Sequence, residues 1–132
     1  MEQNRAAELR AGISGEAFGV VTEGNTAIAM RSGDVGVFAT PAMIALMEEA
    51  AVAALAPYLA DGQTSVGVQV QVRHLAATPV GAQVRAIARV MLVEGRRVTL
   101  RVLAYDEKQS IGEGQHERMI VDRARFLERS QQ

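Results

Sequence analysis

The sequence predicts an α+β protein, a curved antiparallel sheet of about five strands wrapped around one long central helix. Two observations carry this prediction. The run 38–57 is apolar apart from one threonine near its start and two adjacent glutamates, which is typical of a buried helix. Later segments alternate apolar and polar residues between short turns, as hairpin-linked antiparallel strands do. Such a sheet buries one face, and the apolar helix is the element available to cover it.

Composition places the chain among single-domain globular proteins. Its 132 residues are expected to form one domain spanning 1–132. The net charge of −1 and the scattered basic residues lack the basic footprint of a nucleic-acid-binding protein. Without cysteine there is no disulfide framework or thiolate zinc site, and two separated histidines predict no metal site. The N-terminus has no apolar run of a secretory signal, so we expect a cytoplasmic protein.

The segments before the helix are expected to be extended or irregular. Residues 1–15 are polar and alanine-rich, and we expect a loosely ordered lead-in there. Residues 18–23 form a predicted first strand, and residues 26–30 form a weaker second extended piece. Residues 31–36 contain two glycines and an aspartate, which predicts a loop.

The central helix has clear boundaries. Thr40 is a favoured N-cap, Pro41 suits the first helical position, and Pro57 cannot continue the helix. The helix, about 16 residues long, is too short for a membrane span of about 20, and no membrane partner is expected. One sheet can hardly cover a helix that is apolar nearly all round. A second copy of the chain is therefore expected to complete its enclosure.

The strand after the helix begins near residue 64. Val66, Val68, Val70 and Val72 alternate with polar or glycine residues, which predicts that these valines face the core. Continued alternation places His74 on the same interior face. A histidine at that position is an unexpected polar group in the core.

Three more strands complete the predicted sheet. They cover 83–93, 97–106 and 111–122, with a hairpin connection at 94–96. The last strand is expected to be bulged around Gly112 and Gly114. The charged tail 123–132 is expected to fray or to form a short surface helix.

Polar residues on the predicted interior are the candidates for chemistry. A carboxylate in apolar surroundings is costly unless it is paired. We therefore expect either Glu48 or Glu49 to reach a cleft or interface and the other to be solvated. His74 is either a core histidine bonded to backbone groups or a general base near such a carboxylate.

Two further sites have both a structural and a chemical interpretation. Thr40 is an ordinary N-cap, yet at a helix N-terminus its hydroxyl can also be a nucleophile, a substrate-positioning donor or part of an oxyanion site. Strand alternation puts His116 and Arg118 on one face. A solvated face is the favoured interpretation, and the alternative is an arginine that binds a phosphate or carboxylate of a ligand.

Several segments together resemble a known enzyme family. Thr40 lies in Phe-Ala-Thr-Pro-Ala-Met, Glu48 in Leu-Met-Glu-Glu-Ala, and His74 in Val-Arg-His-Leu-Ala-Ala-Thr-Pro-Val-Gly. With the runs 93–97 and 111–118, they resemble the hotdog-fold thioesterases of the fluoroacetyl-CoA thioesterase family over about 38–122. The resemblance implies a hotdog fold and a homodimer with active sites at the subunit interface. It leaves open whether two dimers pair further.

The resemblance also implies an activity and its residues. The family hydrolyses acyl-CoA thioesters, with coenzyme A as part of the substrate and no other cofactor. The matching catalytic residues are Thr40, Glu48 and His74. Gly67 matches a glycine whose backbone lies close to the substrate, and Phe38 and Arg118 are further expected substrate-binding residues. An acyl-enzyme intermediate and direct attack by water both remain open.

One segment departs from the family pattern. The fluoroacetyl-specific enzyme has a longer, phenylalanine-rich lid before the helix. The corresponding segment here, residues 30–37, is short and contains no phenylalanine. We therefore expect a broader or different acyl-CoA preference. Two other functions are weighed against hydrolysis. An enoyl-CoA hydratase would need an Asp–His pair that is not visible, and the presence of all three polar residues argues against a non-catalytic acyl-CoA-binding or sensing domain.

Overall fold

The computed structural model describes residues 8–132, and these form one five-stranded antiparallel sheet with a long helix against it. The strands lie in the order β1-β3-β4-β5-β2, so β1 and β2 are the edges. The elements are β1 (Ser14–Val20), α1 (Ala27–Met30), α2 (Thr40–Leu55), β2 (Gln63–His74), β3 (Gln83–Glu94), β4 (Arg97–Asp106), β5 (Ser110–Asp122) and α3 (Arg123–Ser130). Short 3₁₀ turns lie at Glu23–Asn25 and Ala56–Tyr58.

Helix α2 packs against the inward face of the sheet. The alternation predicted for β3 and β4 is confirmed, because their inward residues are all buried: Val84, Ala86, Ala88, Val90, Val98, Leu100, Val102 and Ala104. The helix contributes seven buried residues, namely Met43, Leu46, Met47, Ala50, Ala51, Ala54 and Leu55. This is the predicted curved sheet around a central helix, and it is the hotdog architecture that the resemblance implies.

One side of α2 is left uncovered by the sheet. Val52 keeps 45% of its surface exposed, and Ala45 and Ala53 are exposed beside it. The helical segment Thr40–Tyr58 is long and apolar enough to cross a membrane by its length and composition alone. The core helix of a protein in water can have the same length and composition, and the packing of α2 on the sheet accounts for its apolar residues.

A bulge in β2 changes which residues face the helix. The register against β5 shifts between Gly67 and Gln69, which leaves Val68 as the extra residue. Directly paired residues of an antiparallel ladder point to the same face. Gly67 lies opposite the buried Arg118, so Gly67 faces the helix, and so does Ser65 two residues earlier.

The orientation predicted for the valines of β2 is therefore partly wrong. Val66 lies between Ser65 and Gly67, which face the helix, so its side chain points away from α2. Val68 is 51% exposed at the bulge. Val70 and Val72 follow the bulge and face inward, although Val70 remains 38% exposed because β2 is an edge strand. His74 shares their parity and lies on the inner face, as predicted.

The segments before α2 also differ from expectation. Residues 26–30 form a capped helical turn rather than an extended piece, because the hydroxyl of Thr26 accepts a hydrogen bond from Ala29 N at 3.2 Å. The first strand begins at Ser14 rather than residue 18 and ends at Val20. Glu23 lies in the following 3₁₀ turn instead.

The predicted lead-in 1–15 is only partly described. Residues 1–7 lie outside the described residues. Leu9 and Ile13 pack against the core, and backbone bonds join Gly12 and Ile13 to Val90 of β3. For residues 8–15, the expectation of loose order is therefore wrong.

Two predictions near the C-terminus are refined. The irregularity in β5 falls at Ile111, which is the extra residue opposite the step from Ala104 to Tyr105 in β4. The tail forms the surface helix α3, and the carboxylate of Asp122 caps it by accepting a hydrogen bond from Arg125 N at 2.9 Å.

Candidate active site

The hydroxyl of Thr40 and the ring of His74 form one short hydrogen bond. Thr40 Oγ1 lies 2.7 Å from His74 Nδ1. The predicted cap is wrong: Ala39 occupies the N-cap position, no side chain caps α2, and Thr40 is the first helical residue. The hydroxyl of Thr40 is therefore directed to the end of β2 rather than to the free N–H groups of its own helix.

The second ring nitrogen of His74 has no partner in the described part of the chain. Nε2 is buried and makes no hydrogen bond there. Burial lowers the pKa of His74 below its ordinary value of 6.5, so the ring is neutral at pH 7. A neutral imidazole has one accepting and one donating nitrogen. In the tautomer in which Nδ1 accepts from Thr40, the N–H at Nε2 is available to a substrate, a water molecule or another subunit.

A cleft of about 430 Å³ opens beside this pair. Its walls include Thr40, His74 and the residues that follow β2, together with the loop between α1 and α2. Phe38 lines it with its ring almost fully buried, at 3% exposure. The cleft is therefore apolar at Phe38 and carries the polar pair in one wall.

The loop over the cleft is short and anchored at both ends. Ser32 N donates to Ala27 O at 3.0 Å, and Ala27 N donates to Val37 O at 2.9 Å. Arg31 adopts the left-handed conformation with φ 61°, which turns the chain sharply after α1. This turn puts Ser32 and Asp34 among the residues that line the cleft.

Glu48 belongs to a second cluster. Its Oε2 lies 3.5 Å from Arg118 Nη1 and 3.7 Å from His116 Nε2. Gly67 faces the same carboxylate, and a Cβ added there would lie 2.6 Å from Glu48 Oε2. Glu49 is exposed, as predicted for one of the two glutamates, and Glu48 contacts buried side chains; whether it also reaches a cleft or an interface stays a prediction.

Arg118 is held beneath Glu48 by several hydrogen bonds. Nε donates to Ser65 Oγ at 2.9 Å and Nη2 donates to Ser65 O at 3.0 Å. Nη1 lies 3.0 Å from His116 Nε2. The predicted shared face of His116 and Arg118 is correct, but the solvated-face interpretation is wrong, because their exposures are 1% and 6%.

The hydrogen bonds of His116 fit a neutral ring. Nδ1 lies 2.9 Å from Gln69 O, a carbonyl that can only accept, so Nδ1 carries the proton and Nε2 accepts from Arg118. Burial lowers the pKa of His116; the hydrogen bond to Gln69 O opposes this in part, and the smaller effects of Arg118, which lowers the pKa, and Glu48, which raises it, follow. Burial also lowers the pKa of Arg118, yet a guanidinium stays charged at neutral pH.

The two clusters are separate within a single chain. Thr40 and Glu48 are eight positions apart on α2, which is about 12 Å along the helix axis. Gly67 and His74 are seven positions apart on β2, which is roughly 23 Å along an extended strand. The structure therefore brings Thr40 and His74 together but brings Glu48 to neither of them.

Sequence reasoning missed two members of the Glu48 cluster, Ser65 and Gln69, and assigned His116 to the wrong surroundings. Nothing in the sequence around Ser65 or Gln69 indicates that they contact Arg118 and His116, because their placement depends on the bulge at Val68. A glycine inside a strand pattern is a sign of a bulge or of close approach, and Gly67 provided that sign. His116 shared a face with Arg118, and alternation alone does not say which face is buried.

Neither cluster has the composition of a metal site. In residues 8–132, no three His, Asp or Glu side chains lie close enough together to hold a metal ion. Both ring nitrogens of His116 are already engaged by protein groups. The site therefore offers hydroxyl, imidazole and carboxylate groups for acid–base and nucleophilic chemistry.

Sequence comparison identifies similar proteins. The family model described as FlK, fluoroacetyl-CoA-specific thioesterase, matches residues 21–124. The fluoroacetyl-CoA thioesterase of Streptantibioticus cattleyicolor is 48% identical over 90 residues, which are 68% of this chain. The match spans 65% of that enzyme's length.

Solved structures show the same similarity in three dimensions. A structure of the fluoroacetyl-CoA thioesterase FlK has a TM-score of 0.88 at 37% identity, covering 93% of this chain and 96% of that one. A thioesterase superfamily member from Thermus thermophilus has a TM-score of 0.85 at 35% identity, covering 92% and 90%. Structures of FlK mutants contain acetyl-CoA, or fluoroacetate and CoA.

Proposed function

The chain belongs to the family of fluoroacetyl-CoA-specific thioesterases, and we propose that it hydrolyses an acyl-CoA thioester to the free acid and CoA. The observation that carries the proposal is the 2.7 Å contact between Thr40 Oγ1 and His74 Nδ1 in the wall of a cleft. A hydroxyl bonded to a neutral imidazole is the arrangement that nucleophilic and general-base catalysis need. Related enzymes with this fold are named for thioester hydrolysis.

The proposed chemistry assigns a role to each member of the pair. Thr40 attacks the thioester carbonyl or positions it for attack by water, and His74 takes the proton from the attacking hydroxyl. The C–S bond then breaks, and the same proton is delivered to the sulfur of the departing CoA. If Thr40 is the nucleophile, a water molecule then attacks the Thr40 ester, the bond between the acyl carbon and Oγ1 breaks, and His74 passes the proton of that water back to Oγ1. In either route one water molecule is consumed, with its hydroxyl on the acyl carbon. Thr40 also lies at the N-terminus of α2, where the helix dipole favours the negative charge that develops on the carbonyl oxygen.

We further propose that the active unit is a homodimer paired along β2. This edge strand has 51% of Val68 and 38% of Val70 exposed, and the uncovered side of α2 exposes Val52. Exposed apolar side chains beside an unpaired strand edge are typical of an interface. Antiparallel pairing about a two-fold axis near these valines places the Gly67 region of one β2 closer to His74 of the other than to its own.

In such a dimer, Glu48 completes the site from across the interface. Its side chain is 40% exposed, and only Oε2 contacts Arg118 and His116. The second carboxylate oxygen is therefore free to accept a proton or to orient a water molecule. His74 Nε2 has no hydrogen-bond partner among the described residues, and a carboxylate oxygen of Glu48 from the other subunit could bind it. Glu48 of the partner subunit and His74 would then share the proton transfers between them.

The acyl selectivity is proposed to differ from that for fluoroacetyl-CoA. The loop beside the cleft contributes Ser32 and Asp34 and no aromatic ring. Polar side chains in the wall favour short neutral or hydrogen-bonding acyl groups, and the carboxylate of Asp34 disfavours anionic ones such as a dicarboxylic monothioester.

The test is a CoA-release assay with a thiol reagent on short, branched, aromatic, fluorinated and long acyl-CoAs. We expect turnover on at least one short acyl-CoA and a loss of most of that turnover in His74→Ala. Tight binding without CoA release would instead support a sensing domain, and near-wild-type turnover of His74→Ala would reject the assigned site.

Subunit mixing tests the shared site. Random mixing of Thr40→Ala and Glu48→Gln subunits makes half of the dimers hybrid, each with one intact site if the two residues come from different chains. Activity should then recover to about a quarter of the wild-type value. No recovery above the two parent variants would place Thr40 and Glu48 in one chain or in no common site.

A further inference from the structure

We propose that His116 is a positioning residue, which accepts a hydrogen bond from Arg118 and thereby fixes the guanidinium edge that orients Glu48. The proposal rests on the thioesterase function proposed above and adds to it a residue that touches no reacting atom. His116 is a buried titratable group, 1% exposed, and the mechanism proposed above gives it no role.

Three contacts fix the plane of the Arg118 guanidinium. Ser65 binds two of its nitrogens, Nε and Nη2, from one side. These two bonds leave the group free to pivot about that side, and Nη1 is the corner that would move. His116 Nε2, 3.0 Å from Nη1, holds that corner. Without this acceptor, nothing among the described residues apart from Glu48 itself binds Nη1.

Glu48 depends on this corner for its own orientation. Its side chain is 40% exposed, and Nη1 is the hydrogen-bond donor that the structure gives to Oε2, at 3.5 Å. A bond of this length is weak, so a small displacement of Nη1 releases the carboxylate. Misplacing a reacting group by about 1 Å can cost roughly 100-fold in rate.

His116 suits this role because its tautomer is fixed. The bulge in β2 directs the carbonyl of Gln69 at Nδ1, at 2.9 Å, and this acceptor keeps the proton on Nδ1. Nε2 is therefore always the acceptor that Arg118 requires. A protonated ring would instead place a second cation against the guanidinium.

Two substitutions of similar size separate positioning from packing. In His116→Gln the side-chain oxygen reaches the place of Nε2 and can still accept from Arg118. In His116→Asn the amide reaches only the place of Nδ1, so the contact with Gln69 is kept and the one with Arg118 is lost. We expect kcat on the best acyl-CoA to fall roughly 10- to 100-fold in the Asn variant, with KM little changed, and to stay within about threefold in the Gln variant.

A second measurement does not depend on activity. In the protein labelled with ¹⁵N-arginine, the Arg118 guanidinium protons should exchange slowly with water in wild type and His116→Gln and rapidly in His116→Asn. Equal kcat and equal exchange in the two variants, or a larger loss in Gln than in Asn, would overturn the proposal. If wild type released no CoA at all, the thioesterase function would fail, and the exchange measurement would still decide the role of His116.

Discussion

The Thr40–His74 pair and the cluster of Glu48, Arg118 and His116 use similar polar groups in opposite surroundings. The pair lies in the wall of an open cleft, where the Thr40 side chain is exposed. In the cluster, Arg118 and His116 are buried and hydrogen-bonded on several sides. A group in the cleft is free to react, whereas a buried charge must stay paired for the protein to remain folded. The comparison predicts that substitutions in the cleft remove activity alone and those in the cluster also lower stability.

The largest effect is expected for Arg118→Met. Removing the buried guanidinium leaves the polar groups of Ser65 and His116 without their partner and Glu48 without its counter-charge. Each buried acceptor left unpaired, such as His116 Nε2, costs about 1–3 kcal/mol in the free energy of unfolding, whereas Glu48, whose side chain is 40% exposed, adds little. Urea denaturation measures this loss.

The matched control for that prediction is Arg101→Met on the outer face of the sheet. Arg101 pairs with Glu113 at 3.3 Å, but both side chains are more than 40% exposed. Its loss should change stability by less than about 1 kcal/mol. Similar losses in the two variants would show that burial is not what distinguishes the cluster.

The second largest effect is expected for Thr40→Ala, and it concerns rate rather than stability. Thr40 is exposed and caps nothing, so the free energy of unfolding should change by less than about 0.5 kcal/mol. The kcat should fall by about 100-fold or more, because the hydroxyl beside His74 is lost. Thr40→Ser keeps the hydroxyl and should keep measurable activity. If Thr40→Ala lowered the free energy of unfolding but kept a normal kcat, Thr40 would have a structural role and the assignment of the cleft to catalysis would be wrong.

Gly67→Ala is expected to lower kcat by less than Thr40→Ala does, because it acts on the reaction only by displacing Glu48. The added methyl would lie 2.6 Å from Glu48 Oε2 and 3.2 Å from His116 Cε1, so the half-exposed carboxylate must move and the buried ring must shift by a few tenths of an ångström. We expect stability within about 1 kcal/mol of wild type and a kcat lower by roughly tenfold. Gly62→Ala is not a suitable control, since Gly62 has φ 84°. Gly24→Ala, with only the Thr22 hydroxyl at 3.7 Å, is the better one.

The difference between the two regions also explains what the sequence could predict. The Thr40–His74 pair depends on a helix start, readable from Pro41, and on the parity of the last few residues of β2, readable from Val70 and Val72. The same reasoning gave the central helix and the inward residues of β3 and β4, because these elements are regular. Their positions follow from period alone.

The Glu48 cluster could not be predicted in the same way. The bulge at Val68 reverses the parity of β2, and only after that reversal do Ser65 and Gly67 face Glu48. Residues 26–30 show a similar limit. Their alternation is too short to distinguish a strand from a helical turn, and the cap by Thr26 decides it.

The effect of pH on kcat/KM and on stability should be smaller than the effects of these substitutions, and it should follow the titration of His74. Burial lowers its pKa below 6.5, so the neutral base form persists at pH 6.5, and kcat/KM should decline only at lower pH. The unfolded chain binds a proton near pH 6.5 while the folded chain does not. The free energy of unfolding should therefore decrease as the pH falls below 6.5, until the folded pKa is passed. An acidic limb of kcat/KM above pH 6.5 would contradict a neutral His74.

The smallest effect is expected for Glu49→Gln, the control that isolates Glu48. The two residues are adjacent on α2, so Glu48→Gln and Glu49→Gln change the charge of the same helix turn by the same amount. Glu49 is exposed, and its change should leave kcat within about twofold of wild type and the free energy of unfolding within about 0.5 kcal/mol. Glu48→Gln should lower kcat, because its carboxylate is the one that Arg118 holds. If the two variants lost activity equally, the loss would come from the net charge of the helix, and the contacts of Glu48 would not be its cause.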